Sequence, residues 1–448
     1  MTTERIVRAL CGSGFNAGEA ETRAGLFSEA SHALVRVTGH APRWAWFVPG
    51  RIEIFGKHTD YAGGRSLVAA VPRGFAVVAA PRADGRVRAI DARWRDATEV
   101  NPADEDTRFI GWANYVAVVA RRLASNFPGA DVGTDLAVMS DLPRAAGLSS
   151  SSALVVAVAS ALIRRAGLDA RPEWRRAVST TLDLAGYLGA VENGLTFGSL
   201  SGTSGVGTHG GSEDHTAILA GVADRVSAYA YVPVRHLSDD PMPSAWRFVV
   251  AASGVQADKA GSAKDRYNRA SLATRGLVEV ANAADQASWP TLAAYLSSAP
   301  DALDRLRERV ASTGSREFSA ADLRTRLKHF VDEDARVPQA AEAFRREDVA
   351  AIGALSAASQ ADADDLLDNQ TPETRMLVRL ARDCGAFASS GFGAGFGGSV
   401  WALAPSDEAP AFASRWLDAY RAEFPAMSRA EVFVTRPGPG VVEIPISE

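Results

Sequence analysis

Cysteine is nearly absent from this chain: Cys11 and Cys384 are the only two in 448 residues. Two lone thiols make neither a disulfide framework nor a zinc site, and they fit a reducing compartment. Long hydrophobic runs are missing too. The most apolar stretch, Ala153 to Ile163, falls far short of the ~20 residues that span a bilayer. No fixed-period repeat or low-complexity tract stands out. Nor is there an excess of basic charge: 48 Lys and Arg against 53 Asp and Glu leave a formal net charge of −5. That balance argues against a general binder of nucleic acid or other polyanions. The opening Met-Thr-Thr-Glu-Arg carries an acidic residue and leads into no apolar h-region, which argues against a secretory signal. The expectation is a cytoplasmic protein with neither a nucleic-acid nor a membrane partner.

What is present is an ordinary globular composition, 47% hydrophobic and 23% charged. The length exceeds the ~250–300 residues at which single cores stop growing, so two domains are expected. Residues 44–56 read as strand, Pro-Gly turn, strand, and 67–81 and 86–94 as further strands. Residues 112–124 are helical by spacing, 135–141 are a strand, and 149–165 form a strongly apolar helix. Residues 194–211 are dense in Gly, Ser and Thr and read as a long loop. Strands follow at 228–234 and 247–252, then a mainly helical stretch over 265–380. The span 386–404 is glycine-rich and ends in an apolar strand. A boundary falls near 220–245, which predicts two α+β domains, 1–230 and 231–448, with a site between them.

Three segments carry chemistry. Ser140 to Ala153 reads SDLPRAAGLSSSSA and runs into the apolar helix. A small-residue loop ahead of a helix N-terminus offers unpaired N–H groups to an anion, and four serines add hydroxyls. A serine-capped helix is the plain alternative. The segment is not a Walker loop, because no Gly-Lys-Ser/Thr follows the glycine. Pro49 to Gly64, PGRIEIFGKHTDYAGG, gathers Arg51, Lys57, His58 and Asp60 in one strand-and-turn unit, with Arg51 and Glu53 opposite the face of Ile52 and Ile54. That polar cluster suits a ligand such as a sugar. Ser389 to Ser399, SSGFGAGFGGS, leaves the backbone bare enough for close approach.

Together these segments resemble the three signature motifs of the GHMP kinases, most closely those of galactokinase. Gly111 to Tyr115, Gly211 to Asp214, Tyr267-Asn268-Arg269 and His329 with Glu333, Arg336 and Val337 are lesser matches in the expected order. The resemblance implies a ribosomal-S5-like N-terminal domain followed by a ferredoxin-like α+β domain. It implies an ATP-dependent sugar 1-kinase that takes ATP with Mg²⁺, as a monomer or weak homodimer. Arg51 and Asp214 match the catalytic pair, and Lys57, His58, Asp60 and Tyr267 the sugar-contacting set. Gly147, Leu148, Ser149, Ser150, Ser151 and Ser152 would line the ATP phosphates, with Gly393 and Gly395 opposite and Trp112 and Tyr115 near the nucleotide. Ser151 is the expected metal contact, completed by Glu192. In these roles Asp214 would accept a hydroxyl proton and Arg51 would stabilise developing charge.

The chain departs from the pattern in three places. Lys57 stands where galactokinases usually carry Glu, in the turn that contacts the far end of the sugar. A cation there would suit a C6 carboxylate, so galacturonate stands beside galactose; the intact HTDYAGG turn keeps galactose ahead. Ala145 and Ala146 replace glycines common in the phosphate loop. The Glu192–Asp214 segment is long, and its Gly/Ser/Thr-rich insertion could act as a flap. Two other readings remain: a sugar and ATP sensor without turnover, and a GHMP kinase for another small alcohol.

Overall fold

The first strand of the chain shows one difference from its sequence pattern. In the computed structural model, which describes residues 2–143, 147–255 and 264–446, Trp44–Phe55 (β1) runs unbroken through Pro49-Gly50. Ala145 and Ala146 lie outside the described residues. The proline has no N–H to donate, and the register of β1 on Arg65–Pro81 (β2) shifts at that point, so a bulge absorbs it. Gly74 faces the bulge. A Cβ there would lie 2.1 Å from the Val48 carbonyl oxygen and 2.7 Å from Pro49 Cα, both backbone atoms that cannot swing away. Gly74→Ala is expected to cost about 1–3 kcal/mol, read by denaturant unfolding.

Val87–Asp91 (β3), Asp96–Val100 (β4), Thr134–Ser140 (β5), Arg225–Ala230 (β6) and Arg235–Pro241 (β7) extend the sheet around β1 and β2. A second sheet holds Trp246–Ala252 (β8), Ala388–Gly391 (β9), Ser399–Pro405 (β10) and Glu431–Thr435 (β11), in the order β11-β8-β10-β9. The chain then returns to the first sheet with Val442–Glu443 (β12), giving β12-β1-β2-β5-β3-β4, with β6 on β2 and β7 on β6. Among the described residues only the β3–β5 pair is parallel. The change of sheet falls between Pro241 and Trp246.

One face of the first sheet carries two helices absent from the expectations above, Thr3–Gly12 and Ala17–Thr38. The buried face of the longer one is mostly alanine, with Phe27 and Leu34 as its large anchors, so its periodic signal is faint. Its start is marked by a capping box between Asn16 and Glu19. Against the other face pack the helices Trp112–Asn126, Ser150–Ala166 and Thr181–Asn193. A further core crosses between the sheets, joining Ile52, Ile54 and Phe55 of β1 to Phe248, Val250, Trp401 and Leu403 of the second sheet.

The return of the chain ties several elements together. Gly438 and Gly440 donate to Ala70 and Gly221, Val441 donates to Ile218, and Ile444 donates to Ala45. Residues 438–444 therefore hold β1, β2 and the helix Glu213–Ala220 in one place. No helix among the described residues is long and apolar enough to cross a membrane.

Candidate active site

Alternation along β1 places Arg51 and Glu53 on one side of the strand, and both are buried. Directly opposite, the helix Glu213–Ala220 begins with two acidic residues, favoured at the positive end of a helix dipole. Arg51 and Asp214 meet there: Nε donates to Asp214 Oδ1 at 2.7 Å and Nη2 lies 2.6 Å from the same oxygen. The third arm, Nη1, donates to the carbonyl of Gly147 at 2.6 Å and so anchors the loop before the serine-rich helix. Burial would lower the guanidinium, but Asp214, Glu53 and Glu213 together push it above its ordinary value. Arg51 is therefore a fixed charge, with Asp214 still 18% exposed toward the cleft.

The four serines behave differently from one another. Ser149 caps the helix with a left-handed backbone, φ 57°, and its buried hydroxyl finds no partner among the described residues. Ser150 and Ser151 are partly exposed in the first turn. It is Ser152, one residue beyond the expected Ser151, whose hydroxyl reaches Glu192 Oε2 at 3.0 Å and Asp214 Oδ2 at 3.3 Å. Glu192 also lies 3.0 Å from His215 Nε2.

The His-Thr-Asp turn forms a further wall. His58 is held at φ 59°, a strained region for a non-glycine residue, with Nδ1 2.9 Å from the Tyr61 hydroxyl. Arg326, buried in the helix Ala320–Arg345, grips this turn by donating to the His58 carbonyl and, at 3.2 Å, to Tyr61. Asp60 Oδ2 accepts the Glu213 N–H at 3.1 Å, linking the turn to the Asp214 helix. The Tyr267 ring sits 5.2 Å from that of His58, and burial followed by Asp60 and Asp214 pushes its phenol well above the ordinary range.

Lys57 corrects the sequence reading. Its ammonium points away from the cleft, fully buried, donating to Ser359 Oγ at 2.6 Å and Ser390 Oγ at 3.0 Å, with Glu333 Oε1 at 3.9 Å. Glu333 also takes the backbone N–H groups of Gly56 and Lys57 and pairs with Arg336 at 2.8 Å. The left-handed His58 that follows turns the chain, so adjacent residues look in opposite directions.

The cleft is lined by Arg51, Glu53, His58, Asp60, Ser152, Glu192, Glu213, Asp214, Tyr267 and Gly393, among others. Trp112 and Tyr115 stand apart from it. The Trp112 indole donates to Asp96 at 2.9 Å, and Tyr115 is packed into the core beneath the Ser150–Ala166 helix. Gly395 packs on Asn369, whose side chain holds the Gly393 carbonyl at 2.7 Å. The 194–211 segment is tied down: Arg122 donates to Leu195 and Leu200 carbonyls, Asn193 accepts the Gly210 N–H, and Asn268 accepts the His209 N–H.

Sequence reasoning named Glu53 and Glu213 within their motifs without giving either a place in the cleft, and it missed Arg326 and Asn369 entirely. Burial pushes both glutamates up: Glu53 against the opposing pull of Arg51 and Lys57, and Glu213 farther because Glu53 and Asp60 repel its charge. The signal for Glu53 was its two-residue spacing from Arg51; for Arg326 and Asn369 there was none.

Comparison with known proteins points to one family. Residues 35–81 match the galactokinase galactose-binding signature, 114–194 the GHMP kinases N terminal domain and 340–422 the GHMP kinases C terminal domain. A galactokinase of Roseiflexus sp. (strain RS-1) is 30% identical over 402 residues, covering 88% of this chain and 91% of the relative. One from Actinobacillus pleuropneumoniae is 29% identical over 383 residues, covering 83% and 87%. Among solved structures, Lactococcus lactis galactokinase complexed with galactose superposes with a TM-score of 0.73 at 23% identity, covering 92% of this chain and 98% of that one.

Proposed function

The chain belongs to the GHMP kinases and, within them, to the galactokinase family; from that premise we propose that it transfers the γ-phosphoryl group of ATP to the anomeric hydroxyl of a free hexose, galactose first. The family makes it a phosphotransferase with an alcohol acceptor. One observation carries the finer reading: a partly exposed carboxylate, Asp214, fixed by a buried guanidinium beside the start of the serine-rich helix.

Phosphoryl transfer asks for positioning and charge stabilisation more than for covalent chemistry. Asp214 takes the proton of the C1 hydroxyl as its oxygen attacks the γ-phosphorus. The new C1–O–P bond forms while the bond to the bridging β-phosphate oxygen breaks, and ADP leaves. Arg51, already charged and already oriented, needs no reorganisation as negative charge develops. The helix Ser150–Ala166 offers its unpaired N–H groups to the phosphates.

The donor set fits Mg²⁺. Ser152 Oγ and the Glu192 carboxylate, 3.0 Å apart, are hard oxygen ligands, and Mg²⁺ keeps most of its waters and needs only one or two of them. Those two residues would hold the ion, which would neutralise phosphate charge. Among the described residues no cluster of three or more His, Cys, Asp or Glu forms an all-protein metal cage.

The case for galacturonate rested on Lys57, and that ammonium is committed to Ser359 and Ser390. Among the described residues the cleft offers one guanidinium, that of Arg51, against five acidic side chains, Glu53, Asp60, Glu192, Glu213 and Asp214, and an anionic sugar would crowd further negative charge among them. ADP release should therefore accompany galactose, with kcat/KM for galacturonate lower by about 10²-fold or more, an ordinary size for discrimination against an unpaired buried charge. Equal turnover of the two would reverse the assignment. No ADP with any free sugar would favour the sensor reading.

A further inference from the structure

We infer that Glu213 is a positioning residue: it shares one proton with Glu53, and that proton keeps Arg51 turned to Asp214. The inference rests on the sugar-kinase reading above and adds a residue to its machinery. Glu53 and Glu213 are both buried, and their side chains hydrogen-bond each other. Two ionised carboxylates cannot make that bond, so one of the pair carries the proton. No N–H or alcohol hydroxyl among the described residues donates to Glu53 Oε1 or Glu213 Oε1, so nothing else there offsets a second charge. Burial raises both carboxyls, and the charges of Glu53 and Asp60 raise Glu213 farther, which makes it the proton's holder.

The proton matters because one guanidinium faces three acids. Arg51 gives Nε and Nη2 to Asp214 and Nη1 to the Gly147 carbonyl. Glu213 Oε1 lies 3.8 Å from Nε and Glu53 Oε2 3.9 Å from Nη2, just outside hydrogen-bond reach. With the proton in place the pair carries one negative charge and leaves those arms to Asp214. Without it, two like charges in contact would compete with Asp214 for the same N–H groups. Glu213 is faced by Arg51 and Glu53 from β1, by Asp60 from the turn, by Asp214 on its own helix and by the Tyr231 phenol just past β6, while Lys57 pulls on Glu53. Burial raises the phenols of Tyr231 and Tyr267 well above their ordinary value, so both stay neutral where the pair loses its proton.

Glu213→Leu removes the donor, and Glu213→Gln restores one that cannot ionise. In the first, kcat should fall about 10–100-fold, the range of a hydrogen bond to a charged group, and the second should recover most of that loss. The KM for ATP should stay within about twofold in both. Wild-type kcat/KM, scanned from about pH 5 to about 9.5, should bend downward and fall about tenfold per unit beyond the bend, as for one ionisation. In Glu213→Gln that bend should be gone. His58, Glu192 and His215 line the same cleft and are kept in the variant, so the difference between the two profiles reads Glu213 alone. Urea unfolding gives a reading without turnover. A carboxyl raised in the folded state adds stability below its unfolded pKa that is lost as pH rises through the folded one. Glu213→Gln escapes that loss, so its midpoint should gain on wild type as pH rises across the scan. Equal pH slopes of stability, the same bend in both enzymes, or no bend in wild type would overturn the inference. A chain that turns over no sugar yet shows the stability difference would fail as a kinase while keeping the shared proton, so the two failures are separate results.

Discussion

Asp214→Asn should lower kcat by about 10³-fold, within the range found when a general base is removed, and leave ATP affinity within about twofold. Asparagine keeps the size of the side chain and an oxygen that can accept from Arg51, so the fold and the anchored Gly147 carbonyl should persist. What disappears is the basic oxygen on the cleft side, where Asp214 stays partly exposed. An ADP-coupled assay gives the rate and nucleotide calorimetry the affinity. Activity within tenfold of wild type would mean that another group takes the proton, or that attack does not need a base.

The second large effect concerns stability. Lys57→Met removes the cation that faces Glu333, Ser359 and Ser390 in a fully buried setting. Breaking a buried charge network from one side typically costs about 3–5 kcal/mol. Arg336 remains on Glu333, so the lower end of that range is expected. Denaturant unfolding followed by two probes should show the loss. The pH dependence adds a signature. Burial raises the Glu333 carboxyl, yet Lys57 and Arg336 bring it below its ordinary value. A carboxyl depressed in the folded state gives stability that is present above its unfolded pKa and lost as pH falls through the folded one. That acid-side loss should be shallower in Lys57→Met than in wild type. An unchanged midpoint and an unchanged slope would show that the turn is held by other contacts.

Much of the site was legible because its chemistry lies in short runs. Arg51, His58 and Asp60 fall within one strand and turn, and the serine-rich helix start and GGSED were readable from composition and order. That Arg51 and Asp214 would touch across 163 residues followed from family resemblance, since no local rule sets it. Where reading failed, the deciding contacts were distant ones. Lys57 is turned by partners 302 and 333 residues away, Ser359 and Ser390, and nothing in GKHTDY reveals them. Ser152 rather than Ser151 reaches Glu192 and Asp214, carboxylates 40 and 62 residues away that the run of serines does not reveal. Pro49-Gly50 read as a turn since both residues are turn formers. The bare Gly74 opposite allows the strand to continue through a bulge instead. The flap assigned to 194–211 followed from composition alone, but arginine and asparagine side chains outside the segment pin its backbone.

The return of β12 to the edge of β1 has a bearing on synthesis. The strand with Arg51 and Glu53, and the helix with Asp214, are both bonded to residues 438–444. While a ribosome is still making the chain, everything up to β11 can emerge and begin to pack while that edge of the first sheet stays open. A chain cut before residue 438 would leave that edge of the first sheet, and the carbonyls of Ala45, Ala70, Ile218 and Gly221, without these partners.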